Sequence, residues 1–514
     1  MTSAAQTHPA NAASGDEAAG SRLWVVLSGA LLAMLLAALD QNIVNTALPR
    51  MAGELGGLAH LSWVVTAFML TATTTTPLYG KLSDLHGRRR LFIASITVFL
   101  CGSLLCGLAQ SMGQLIAFRA LQGLGAGGLL VLAQSVIGDV VAPRDRPRYQ
   151  GLFSATFGLA SVAGPLLGGV ITSAASWRWV FYVNIPVGLL AMALIWFGLR
   201  GGPRGTARPV DYLGAALLAA ATTLLLLLLA WGGVEFTWTS PAAIGLALAA
   251  IVLAGLFVWW EGRAEEPLVR LSLFRNPVYA RGVAVGGTMT FAMLGSTVFL
   301  PLYFQIVLGM SPAWAGAMLI PQVTGMLLSS TIGGRIVARR GRNKAFLLAG
   351  LGLEAVALAS LAWFAWVAAS PVFFLVSMAL LGVGMGMGMP NLTTAVQNAV
   401  PHRELGAATG AMAFARSLGG ALGVATSGAI MSARLASAAP GVDLGKLAGE
   451  ALHAAPGLGA AGEAVAGAYR SALTGCFLLS AVVMTGALLL VIGLPELTLR
   501  SAVDGAAEPV PARG

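Results

Sequence analysis

The sequence predicts an all-α membrane protein of fourteen transmembrane helices, built as two six-helix bundles with two additional inserted helices. Three observations carry that expectation. Of the 514 residues, 57% are hydrophobic and 10% charged, against roughly 25% charged in a soluble domain, so the polar side chains cannot cover such a core. Apolar runs of about twenty residues recur from end to end, each long enough at about 1.5 Å per residue to cross about 30 Å of hydrocarbon. The chain also resembles itself at an offset of roughly 255 residues.

Hydropathy places the spans near 24–46, 60–79, 91–109, 113–138, 149–172, 180–199, 211–231, 241–260, 282–307, 313–337, 345–367, 371–397, 405–432 and 471–494. With the N-terminus in the cytoplasm, 23 of the 30 Lys and Arg residues fall on the inner side, five fall outside, and Arg119 and Arg416 lie within spans. This bias puts both termini in the cytoplasm and requires an even number of helices. The domains then read as a disordered tail over 1–21, a six-helix bundle over 22–200 and inserted helices seven and eight over 201–262. A second six-helix bundle follows over 263–498, with an outer loop at 433–470, and a cytoplasmic tail over 499–514. Residues 1–21 lack the basic start and apolar stretch of a cleavable signal.

The net charge of +10 sits in short arginine clusters between apolar runs, which is the pattern of topology signals and implies no nucleic-acid partner. Cys101, Cys106 and Cys476 have no redox or zinc spacing, so no metal site is implied. No phosphate loop and no nucleophile–base constellation occurs. An ATP-driven pump, an enzyme and a bound cofactor are therefore not expected.

The internal repeat is specific. Gly80-Lys81-Leu82 with Gly87-Arg88 recurs as Gly334-Arg335-Ile336 with Gly341-Arg342, and Gly123, Gly125 and Gly127 recur as Gly382, Gly384 and Gly386. Repeated halves with a substrate site between them are a common plan of secondary transporters. The pair over 211–260 has no counterpart in this scheme.

Several motifs carry a family resemblance. Gly80 to Arg90, with Lys81, Asp84, Gly87 and Arg88, closely resembles the signature of the major facilitator superfamily between helices two and three. The alternative reading is a plain positive-inside loop. The resemblance implies a cytoplasmic gate closed by ion pairs. Asp139 is either a further partner for its arginines or a helix-end acid, and the second copy has Ala338 where Asp84 would fall.

Leu39-Asp40-Gln41-Asn42 through Pro49 resembles the first-helix motif of the fourteen-helix drug:proton antiporters, with Asn42 in place of the usual Thr. An acid at the depth of Asp40 costs several kcal/mol unless paired, hydrated or protonated. Desolvation favours its neutral form and a nearby cation its charged form, so alternating exposure would switch its protonation. The competing reading is a permanently paired acid that holds helices together. Arg119, in the run through Gly128, resembles the fourth-helix motif linked to proton transfer, at a depth similar to Asp40. Gly151, Gly164, Pro165, Gly168 and Gly169 resemble the helix-five motif of antiporters, with Ala160 in place of one glycine. Leu61 to Phe68, Trp177 to Pro186, and Pro301 to Gln305 with Ser311-Pro312 are similar to the fourteen-helix subgroup.

Glu354 in span eleven, with Arg416 at comparable depth in span thirteen, is either a second proton or substrate site or a buried structural pair. Gln41, Asn45, Trp63, Met69, Gln134, Tyr303, Gln305, Gln322, Asn391, Gln397 and Met412 are candidate cavity linings. The resemblance implies a major facilitator fold in a bacterial cytoplasmic membrane, functional as a monomer among membrane lipids. It implies antiport of protons against lipophilic or cationic drugs. A dedicated exporter of a native lipid, siderophore or secondary metabolite, and a non-transporting membrane sensor, are the alternative expectations.

Overall fold

The computed structural model describes residues 10–55, 61–199, 211–233, 236–310, 312–438, 459–495 and 499. Most of the predicted outer loop and almost all of the C-terminal tail lie outside these residues. The regular elements among the described residues are all helices, joined by turns and short irregular segments, with one isolated bridge between Gly232 and Phe236. Eleven helices among them are long and apolar enough to cross a membrane.

In chain order the helices are α1 (Ala10–Leu55), α2 (Leu61–His86), α3 (Arg88–Leu108), α4 (Met112–Val140), α5 (Arg146–Ala174), α6 (Trp179–Tyr182), α7 (Asn184–Gly198), α8 (Tyr212–Trp231) and α9 (Pro241–Glu261). They continue as α10 (Pro277–Thr297), α11 (Leu300–Ile306), α12 (Pro312–Ala317), α13 (Ile320–Arg340), α14 (Lys344–Trp366), α15 (Pro371–Asn398), α16 (Leu405–Ala438) and α17 (Gly459–Ile492).

Local chemistry explains the ends. Asp211 caps α8 by accepting from the Gly214 N–H at 2.8 Å, and Ser240 caps α9 by accepting from Ala243 at 3.1 Å, with Pro241 in the first turn. Helical backbone begins at Ala10, inside the predicted irregular tail, where the Ala-rich sequence has high helix propensity. Three predicted spans are interrupted. The run 180–199 divides at Val183, because Pro186 lacks the N–H that would bond Tyr182; 282–307 divides before α11 and 313–337 before α13, where Pro301 and Pro321 occupy first-turn positions.

The chain forms two compact units, the first comprising residues 1–72, 82–140 and 159–207 and the second 73–81, 141–158 and 208–514. In the first unit α1 packs on α4 and α7, and α3 packs on the same two helices. In the second, α10 packs on α15 and α17, and α14 packs on the same two. The predicted repeat therefore has a physical counterpart in these four-helix arrangements.

The repeated glycines do matching work. Gly87 and Gly341 both have positive φ, 89° and 70°, a conformation that costs other residues roughly 1–2 kcal/mol. A Cβ on Gly80 would stand 2.5 Å from the Gly406 carbonyl oxygen, and one on Gly334 would meet Pro147 and Arg148 backbone. On α4, Gly123 lies against Phe68 of α2 while Gly125 lies against Ser95 and Phe99 of α3; on α15, Gly382 and Gly386 lie against α13 while Gly384 lies against α14. Each glycine stripe lets one central helix touch two neighbours backbone to backbone, the packing mode of apolar helices in lipid.

Candidate functional site

The first unit buries an acid–base network in its core. Arg119 on α4 donates from Nη1 to Asp40 Oδ2 on α1 at 2.6 Å, with Asp40 0% and Arg119 1% exposed. The second carboxylate oxygen accepts from Gln122 Nε2 at 2.9 Å and Asn184 Nδ2 at 2.8 Å. Arg119 also donates to Gln122 Oε1 at 2.7 Å and to the Val64 carbonyl at 3.2 Å, and its guanidinium lies 4.0 Å from the Phe68 ring centre. Asn184 reaches Ser103 at 3.0 Å, and Ser103 in turn donates to the Phe181 carbonyl at 2.8 Å.

Two of the network's members were quoted within motifs but not singled out by the sequence. Gln122 follows Arg119 by three residues and so shares its helix face. Asn184 is an amide in an otherwise apolar run, at the first position of α7. Both place a neutral donor on the acid that the cation also holds, so every oxygen of the ionised carboxylate is satisfied. Such satisfaction is what a buried ion pair needs to offset its desolvation.

A second cluster in the same unit surrounds Arg88. Its guanidinium pairs with Asp84 at 2.6 Å and Asp139 at 2.7 Å, and it also donates to Ser83. Asp139 is thus a direct partner of Arg88. Lys81 belongs to the second unit, where it pairs with Glu266 at 3.0 Å; Glu266 also lies 3.6 Å from Arg270, which bonds Glu404 at 2.8 Å.

The helix-five glycines divide by unit. In the first, Gly164 packs against Asn42 and Gly168 against Ile43 and Thr46, all on α1, whereas a Cβ on Gly169 would meet nothing within 4 Å. Pro165 lies inside α5. In the second, a Cβ on Gly151 would stand 3.1 Å from the Ser330 carbonyl oxygen.

Glu354 and Arg416 do not pair, which removes the structural-pair reading. Arg416 donates to Thr393 at 2.7 Å, because Thr393 on the facing α15 offers the nearer acceptor. Glu354 is 1% exposed, and its Oε1 has no hydrogen-bond partner among the described residues. Its side chain fills the space beside Gly384 and Gly388 of α15.

The candidate cavity residues do not gather in one place within either unit. Tyr303 is buried in an aromatic cluster, 5.2 Å from Phe374. Asn391 donates to the Met387 carbonyl at 2.7 Å, Gln397 to Thr409 at 3.3 Å and Gln322 to Met385 sulfur at 3.4 Å. Met412 is buried beside Val396 and Tyr279, and Gln305 donates to the Pro301 carbonyl at 3.1 Å. In the first unit Asn45 and Met69 are exposed, and Gln41, Trp63 and Gln134 are partly so.

A glycine-stripe scaffold present in both units, with an acid–base network buried in the first, is packing suited to an apolar membrane environment. A sequence profile of the Major Facilitator Superfamily matches residues 30–424. The chain is 37% identical over 414 residues to the multidrug transporter protein MdtP of Bacillus subtilis, covering 80% of this chain and 76% of that protein. It is 35% identical over 413 residues to multidrug resistance protein 3 of the same species, covering 79% of each. Among solved structures, it resembles the human organic anion transporter MFSD10 (TM-score 0.63, 15% identity, 91% of this chain and 99% of that chain). It also resembles the proton:xylose symporter XylE (TM-score 0.61, 15% identity, 93% and 98%). The chain belongs to the major facilitator superfamily and is a multi-pass membrane transporter.

Proposed function

We propose that this transporter is a proton-coupled antiporter that exports lipophilic or cationic compounds across a bacterial cytoplasmic membrane. The observation that carries the reading is the buried Asp40–Arg119 pair with its two amide donors. The multidrug names of two relatives support the substrate class. In this reading, α2, α10 and α16 also cross the bilayer, although Thr71–Thr76 and a high content of small residues make them less apolar than the other eleven. The count is then fourteen, with α8 and α9 inserted between two six-helix bundles and both termini cytoplasmic.

Asp40 takes a proton from the outside and releases Arg119 and the amides; the bundles rock; the proton leaves inward as Arg119 returns. Glu354 is a second proton-handling acid, and Asp84, Arg88 and Asp139 close the inner gate with Lys81 as a further contributor. Gln41, Asn45, Trp63 and Gln134 contribute polar contacts to cargo. Protons entering down about 100 mV supply about 2.3 kcal/mol each, to which the pH gradient adds.

The test is transport in proteoliposomes under imposed pH and voltage gradients, with cationic, neutral and lipid-like compounds. Asp40→Asn should insert normally and lose gradient-driven export. Full gradient-dependent transport by that variant would end the proton-carrier assignment. Export of a single lipid-like compound and none of the drugs would favour a dedicated exporter.

A further inference from the structure

The α8–α9 hairpin holds two acids that the transport mechanism does not use. Asp211 Oδ1, at the start of α8, accepts from Gly214 N and from Trp260 Nε1, both at 2.8 Å. Glu261 Oε2, at the end of α9, accepts from Val269 N at 3.1 Å. The other oxygen of each, Asp211 Oδ2 and Glu261 Oε1, is buried without a hydrogen-bond partner among the described residues, and Glu261 as a whole is 3% exposed.

The two orphan oxygens share one small space. Both crowd the position that a Cβ on Gly214 would take, Glu261 Oε1 at 2.8 Å from it and Asp211 Oδ2 closer. Glycine at 214 leaves this space open to both carboxyl groups. Two ionised carboxylates so placed repel, and neither finds a donor for its inner oxygen; neighbouring carboxyls in this situation keep one proton between them.

The charged surroundings offset the conflict only in part. The charge of Lys81 on α2 acts on Glu261, but its ammonium is bonded to Glu266, and Arg270 is bonded to Glu404. Glu265 and Glu266, on the segment after α9, add negative charge. The remaining groups packed on this corner are apolar: Leu78 of α2, Phe414 of α16, and Ala215, Leu218, Phe257 and Leu268. Asp211 also lines a shallow cavity of about 230 Å³ with Tyr212, Trp260, Glu265 and Glu266, which gives protons a route to the pair.

We propose that Asp211 and Glu261 bind one shared proton, Glu261 Oε1 and Asp211 Oδ2 standing as donor and acceptor, which latches the start of α8 to the end of α9. The latch is a proton site separate from Asp40 and Glu354 and independent of the antiport reading. A pair that holds its proton more firmly folded than unfolded contributes stability at low pH, and that contribution is lost as pH rises.

The test uses the purified full chain in detergent. Melting of the wild type is followed between about pH 5 and pH 9, a range spanning ordinary and strongly shifted carboxyl behaviour. The wild type should lose stability as pH rises. Glu261→Gln, whose amide supplies a permanent donor to Asp211, should flatten the profile and melt higher than the wild type at alkaline pH. Asp211→Asn, which retains the helix cap, should flatten it too and provides a second variant if the first folds poorly. One component of the infrared carbonyl absorption of protonated carboxyls should be lost in Glu261→Gln and be retained in Asp40→Asn and in Glu354→Gln, whatever other component those two variants remove. Parallel melting profiles for wild type and both variants, an unchanged band in Glu261→Gln, or stability that follows Na⁺ at fixed pH would each overturn the shared proton.

Discussion

Removing Arg119 leaves Asp40 fully buried with only two neutral donors, Gln122 and Asn184, and removing the charge of Asp40 leaves Arg119 with Gln122, the Val64 carbonyl and the Phe68 face. Breaking a buried pair from one side costs about 3–5 kcal/mol, whereas replacing both partners together is often nearly neutral. Arg119→Gln should sit toward the lower end of that range, because hydrogen bonds to a charged group, each about 1.5–3 kcal/mol, still hold Asp40. Asp40→Asn should cost about as much, since the arginine keeps its charge. The double variant Asp40→Asn/Arg119→Gln should therefore be less destabilised than the sum of the singles by about 2–3 kcal/mol, the upper part of measured couplings. The assay is reversible unfolding from mild detergent by a denaturing detergent, monitored by tryptophan fluorescence. Additivity within about 0.5 kcal/mol would show that the two side chains do not depend on each other, and the pair would lose its role in the proposed proton coupling.

Gly87→Ala should cost about 1–2 kcal/mol from its positive φ alone, since a Cβ there would meet nothing within 4 Å; a cost near zero in unfolding measurements would refute the turn argument. Gly382→Ala should cost more, about 1–3 kcal/mol or above, because its Cβ would run into the Gln322 carbonyl of α13, and unchanged melting would contradict that close approach. Glu54 is held below the usual carboxylate range by the Trp177 indole donor at 2.8 Å and then by Arg178 at 3.0 Å. Its contribution is present above the unfolded-state value of about 4.3 and is lost as pH falls through the lower folded value. The melting difference between wild type and Glu54→Gln should accordingly shrink on acidification, and a constant difference would count against the assignment.

What the sequence made legible was whatever local pattern encodes. Apolar length marked the helices, and glycine spacing marked the turns at Gly87 and Gly341 and the stripes on α4 and α15. Asp40 and Arg119 stood out because charge in an apolar run is costly and therefore conspicuous. Asn184 did not, because one amide in a membrane helix is cheap enough to be common, and its role depends on the rotation of α7 about its axis. The breaks at Val183 and before α11 and α13 went unread because hydropathy averages over a window and registers no missing N–H. The candidate cavity amides failed to gather for a related reason. Gln322, Asn391 and Gln397 are within reach of acceptors on their own or adjacent helices, and helix packing satisfies them there.

The two units repeat their scaffold but not their charge, and this asymmetry separates stability from coupling at the two deep acids. Asp40 accepts hydrogen bonds from a cation and two amides, and Arg119 depends on it as its one acidic partner among the described residues. Glu354 sits against glycines of α15, and among the described residues no cation is bonded to it and one of its oxygens has no donor. A neutral isostere should therefore strand a charge at the first site and none at the second. Glu354→Gln should change unfolding free energy by no more than about 1 kcal/mol, within the range of a volume-conserving swap, while lowering gradient-driven export. The measurement is paired: detergent unfolding and proteoliposome transport on the same preparation. Strong destabilisation by Glu354→Gln would mean that Glu354 is an ionised structural anchor, and undiminished coupling would remove it from the proton path.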